Sequence, residues 1–176
     1  MDESAASSHQ NRLEPTFDQI ERTRLAALRI LEARPCSAAE LNERLKKRKL
    51  AAAAIEHVVG RLVETGVVND ERLAEHVVER ELRSRPAGDA LLHGKLEARS
   101  VDGDIASAAV GRVSSQHTEL ERATELANRT ALACSSRLDQ HARWRRVLSV
   151  LARRGFDEDV AVEAAEAALG PIPEEP

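Results

Sequence analysis

The stretch Leu151-Ala-Arg-Arg-Gly-Phe-Asp-Glu-Asp-Val160 closes one amphipathic turn and opens another. Two arginines end a helical pattern, and Gly155 can take the left-handed backbone that turns the chain. Phe156 can plug the corner, and the acidic run places negative charge at the start of the next helix. The same arrangement occurs twice more. Leu45 is followed five places on by Leu50 and then by Ile55, and Leu96 by Val101 and Ile105, as Leu151 is by Phe156 and Val160. Arg48, Arg99 and Arg154 hold the same place in the three copies. Only Gly155 suits the turn; Lys49 and Ser100 stand in the other two, which are therefore expected to be strained or differently shaped.

Outward from these joints, apolar residues recur at helical spacing. Helices are predicted over about 18–33, 38–48 and 52–65, from Asn69 or Asp70 to Pro86, over about 89–99, from Asp102 or Asp104, and over about 118–131, 138–154 and 157–169. Their stripes include Leu25, Leu28 and Leu31 in the first, Ile55, Val58, Val59 and Leu62 in the third, and Trp144, Val147, Leu148 and Leu151 in the eighth. Ser37-Ala-Ala-Glu40 reads as a capping box. Grouped in threes, the helices form repeats over 18–66, 70–115 and 118–169. The predicted fold is all-α: three tandem three-helix repeats forming an elongated, curved array in which stacked units share a core. Residues 1–17 and 170–176 read as disordered tails.

Composition agrees. The chain is 42% hydrophobic but only 2% aromatic, without tyrosine, and Ala, Leu, Glu and Arg favour helices over strands. No apolar run approaches the ~20 residues that span a bilayer, and the acidic start lacks the features of a secretory signal, so a soluble, cytoplasmic protein is expected. Cys36 and Cys134 read as small, mostly buried thiols, with Cys36, after Pro35 in a turn, expected to be partly exposed. The net charge of −4 resides in the two tails, leaving a neutral body with local basic clusters.

No catalytic constellation is evident. The six histidines are dispersed, with no HExxH pair, no CxxC and no phosphate-cradling glycine loop. The expectation is a binding protein without cofactor or metal. One version of that expectation is DNA reading. The span from Ala26 through Ser37-Ala-Ala-Glu-Leu41 to Val67-Val68 resembles a winged helix–turn–helix, but a wing should follow Val68, where the sequence instead has helical spacing.

The fuller resemblance is to the RecX family, modulators of the RecA recombinase. It rests on Ala27-Leu-Arg-Ile-Leu with Arg34 and Ser37-Ala-Ala-Glu-Leu41, on Leu62-Val-Glu-Thr-Gly-Val-Val-Asn-Asp70 followed by Leu73-Ala74, and on Leu151-Ala-Arg-Arg-Gly-Phe156, across about residues 20–168. It implies a curved, usually monomeric helical protein lying in the groove of the RecA–DNA filament, blocking strand exchange and ATP hydrolysis by RecA, with weak DNA binding in some members. The sequence departs where the family often has aromatics (Leu73, Val77, Val150), glycine (Lys49, Ser100) or basic residues (Glu79, Glu81). Candidates for contact with acidic RecA surface or phosphate are Lys46, Lys47, Arg48, Lys49, Arg99, Arg143, Arg146, Arg153 and Arg154. Trp144, Phe17 and Phe156 have core or capping roles to fill, so base stacking is not expected.

Overall fold

The computed structural model describes residues 14–171, and among them every regular element is an α-helix. The chain divides into two compact units, the first ending at Asn69 and the second beginning at Asp70.

The first unit holds α1 (Phe17–Ala33), α2 (Ala38–Lys46) and α3 (Ala52–Glu64). Thr16 accepts the Gln19 N–H, while the Gln19 side chain reaches back to the Thr16 N–H. This capping box was not anticipated, and it starts α1 inside the expected tail; the rest of that tail lies outside the described residues. Ser37 accepts the Glu40 N–H at 3.0 Å to start α2, and the Glu40 carboxylate pairs with Arg34. Ala27, Ile30, Leu41, Leu45, Ile55, Val58 and Leu62 form the core. Each fully buried leucine contributes about 1.5–3 kcal/mol. The inward stripe of α1 runs through Thr23, Ala27 and Ile30, so Leu25 faces solvent, contrary to its expected place in the stripe. Thr23 is tolerated inside because its hydroxyl donates to the Gln19 carbonyl at 2.7 Å. Phe17 is 77% exposed and fills neither a core nor a capping role. Cys36, expected to be partly exposed, is buried, and Cys134 is half-exposed. Burial, reinforced by the Glu40 carboxylate, pushes the Cys36 thiol pKa up.

The second unit holds α4 (Asp70–Ser84), α5 (Asp89–Glu97), α6 (Gly103–Gln116), α7 (Glu119–Leu132), α8 (Gln140–Arg153) and α9 (Glu158–Leu169). Helix α4 occupies the stretch where a DNA-reading wing would follow Val68. The trio α4–α6 buries Leu73, Ala74, Val78, Leu92, Leu96, Ala106 and Val110. The trio α7–α9 buries Ala123, Leu126, Trp144, Val147, Leu151, Phe156 and Ala164 in a separate cluster. The expected shared core is thus replaced by one apolar cluster per trio, because small alanine-rich helices close on themselves without borrowing a neighbour's face.

The three repeat joints share a left-handed turn residue, and the second and third also close with the same hydrogen bonds. Lys49, Ser100 and Gly155 have φ of 57°, 52° and 73°. In the second copy the Val101 N–H donates to the Leu96 carbonyl at 3.1 Å and Ser100 to Glu97 at 2.8 Å. In the third, Phe156 donates to Leu151 at 3.3 Å and Gly155 to Ala152 at 3.0 Å, the same closing pattern. Asp102 and Asp157 then cap α6 and α9, whereas Ala51 before α3 gives no side-chain cap.

Candidate partner-binding surface

Within the second unit, the segment Arg85–Asp89 between α4 and α5 is gripped by two arginines of the third trio. Arg154, at the end of α8, donates to the Pro86 and Arg85 carbonyls, both at 3.0 Å, and to Glu81 at 2.8 Å. Its own carbonyl accepts the Gly88 N–H at 2.9 Å. Arg122 of α7, only 5% exposed, donates to the Ala87 carbonyl at 3.0 Å and the His117 carbonyl at 2.6 Å, and pairs with Asp89. Glu119 completes the clasp by accepting the Asp89 N–H at 3.0 Å. Backbones meet so closely that a Cβ on Gly88 would lie 2.1 Å from the Gly155 carbonyl oxygen.

Arg154 was a candidate for partner contact; the structure commits its guanidinium to this junction. The departure at Glu81 has its explanation here, since the carboxylate neutralises Arg154. Arg143 is half-buried, its Nη2 3.5 Å from the Ala131 carbonyl at the end of α7. Arg99, at the equivalent place in the second repeat, is half-buried.

The remaining candidates are exposed. Lys46, Lys47, Arg48 and Lys49 crowd the end of α2, with Lys46 paired to Glu43 at 2.8 Å. Arg146 and Arg153 lie exposed on α8, seven residues apart and so near one face; Arg153 also donates to Ser149 at 2.6 Å.

Arg146 stands in a groove of about 390 Å³ with Arg85, Leu126, Arg129, Thr130 and Val150. A second groove of about 620 Å³ adjoins it, sharing Arg85 and Arg129 and adding Arg83 beside Leu82, Pro86 and Val113. Together they place Arg83, Arg85, Arg129 and Arg146 along a track whose lining is mainly apolar around Arg146 and mixed polar and apolar beyond it. Glu79 and Glu125 stand at its edge, and the Glu125–Arg129 pair at 3.4 Å is exposed on both sides and so contributes little. Sequence reasoning found only Arg146 of these four. Arg83 and Arg129 lie in the last turns of α4 and α7 and Arg85 just past the end of α4, where a basic residue is ordinarily read as complementing the helix dipole. Such a track suits an extended anionic or mixed anionic–apolar partner surface. Among the described residues no cluster could hold a metal ion and no helix is long and apolar enough to cross a membrane.

Fold and surface together define a helical-repeat protein with arginine-lined grooves. A family model for the first three-helix domain of RecX matches residues 24–62. The regulatory protein RecX of Streptomyces coelicolor is 31% identical over 166 residues, covering 94% of this chain and 87% of that protein. The RecX of Thermobifida fusca is 33% identical, covering 82% and 77%. The crystal structure of RecX from Lactobacillus salivarius superposes with a TM-score of 0.71 at 20% identity, over 86% of this chain and 97% of the other. The chain belongs to the RecX family of regulatory proteins.

Proposed function

We propose that this protein acts by binding rather than catalysis, in the cytoplasm and as a monomer, docking in the groove of the RecA–DNA filament and restraining RecA's ATP hydrolysis and strand exchange. Family membership supports the partner. The observation that carries the mode of action is the arginine track of Arg83, Arg85, Arg129 and Arg146 on a hydrogen-bonded pair of trios. Several modest contacts along a polymer add through multivalency, so no single deep pocket is needed. Lys47, Lys49 and Arg153 supply further exposed positive charge. Any direct DNA contact is to phosphate and therefore weak and salt-sensitive.

The test is a coupled ATPase assay of RecA on single-stranded DNA. The wild-type chain at near-stoichiometric ratios lowers turnover. Arg129→Glu with Arg146→Glu removes most of that effect while leaving the helical circular dichroism spectrum unchanged. A several-fold excess of wild-type protein without effect on RecA overturns the reading; full inhibition by the double variant overturns the track.

A further inference from the structure

A second cationic site lies in the first unit, on α1. Arg22, Leu25, Ala26 and Arg29 fall at i, i+3, i+4 and i+7 on one face, and with Arg48 and Leu50 they line a cleft of about 260 Å³. Leu25 is 49% exposed at its centre. Among the described residues, Arg22, Arg29 and Arg48 have no ion-pair partner, whereas the neighbouring Arg24 pairs with Glu21 at 2.9 Å, and Arg34 and Arg44 pair with Glu40.

We propose that this cleft docks an acidic peptide segment of a protein partner, with an apolar side chain of the segment seated on Leu25 and Leu50 and its carboxylates paired to Arg22, Arg29 and Arg48. Charge complementarity selects an anion, and the apolar floor selects among anions. A nucleic-acid backbone has nothing apolar to place on an exposed leucine, and the cleft holds no aromatic ring on which a base could stack. A carboxylate-bearing peptide with an interspersed leucine or isoleucine satisfies both halves, and the arginines can lay their methylene stems along the apolar contact while pairing at their tips. The cleft is separate from the second unit's arginine track and stands whether or not that track engages a RecA filament.

The test needs neither RecA nor DNA. A fluorescein-labelled peptide of Glu and Asp carrying two leucines one helical turn apart is titrated with the full chain and followed by anisotropy. A peptide with serine in place of leucine and an oligothymidylate of equal charge serve as comparisons. Saturable binding of the leucine peptide is expected. Leu25→Ser should weaken it about tenfold, the scale of losing part of one leucine's burial, and should leave the serine peptide's weaker binding unmoved. Arg22→Gln with Arg29→Gln should weaken both peptides. Amide shifts on titration should cluster at residues 22–29 and 48–50. Equal binding of both peptides with no response to Leu25→Ser overturns the proposal, leaving a plain cation-exchange surface. So does tighter binding of the oligothymidylate with displacement of the peptide, or an absence of saturable binding.

Discussion

Arginine chemistry is divided by environment. Arg48, Arg99 and Arg154 are equivalent in the repeat, yet Arg48 is exposed, Arg99 half-buried, and Arg154 locked to two carbonyls and Glu81. Arg122 is the extreme case: its charge is buried, compensated by Asp89, and its guanidinium also donates to the Ala87 and His117 carbonyls. Removing such a group strands the acceptors it served. Arg122→Ala should therefore cost about 2–4 kcal/mol, while Arg153→Ala, at an exposed position, should change stability by less than about 0.5 kcal/mol. Urea denaturation of the two variants measures the contrast. Gly88→Ala probes the same junction from the backbone, because a Cβ there would overlap the Gly155 carbonyl; a loss as large as that of Arg122→Ala is expected.

Elements end and begin by local rules, and two joints break them. Lys49 and Ser100 hold left-handed backbone that costs a side-chain-bearing residue roughly 1–2 kcal/mol, partly offset in glycine by its greater freedom when unfolded. Lys49→Gly and Ser100→Gly should each stabilise by about 0.5–1 kcal/mol. The start of α3 offers the opposite repair. Ala51 sits with φ −64° and ψ 131°, suited to a capping residue but without an oxygen to accept an orphan N–H. Ala51→Asp should add about 0.5–1 kcal/mol. Thermal melts of the three single variants and their combination check both claims.

At the scale of the whole molecule, cohesion within the second unit is polar where the two trios meet. Each trio has its own apolar cluster, and the clasp of Arg122 and Arg154 joins them. A fragment of residues 70–176 should unfold in a single transition. A fragment of residues 118–176 leaves Arg122 and Arg154 without most of their acceptors and should melt at least ~10 °C lower, on the scale of several kcal/mol for a small domain. Calorimetry of the two fragments distinguishes a clasped pair from two independent bundles; equal melting temperatures would mean the junction contributes little. A unit held in this way presents its arginine track as one fixed surface, which is what repeated contact along a polymer requires.

The helical class, the helix ends near Pro35, Gly66 and Gly155, the threefold repetition and the inward faces of α3 and α8 could all be read from the residues in order. Each rests on hydrogen bonds and apolar contacts spanning a few positions along the chain. The track was legible only at Arg146, and the junction not at all. Arg154 meets Glu81 across 73 positions and Arg122 meets Asp89 across 33, so no local pattern reveals that these charges are spent inside while Arg83, Arg85 and Arg129 remain outside. The burial of Cys36, the exposure of Phe17 and Leu25, and the need for a bare backbone at Gly88 were likewise decided by tertiary packing. Burial is a property of what arrives from elsewhere in the chain, whereas a helix is a property of its own neighbours.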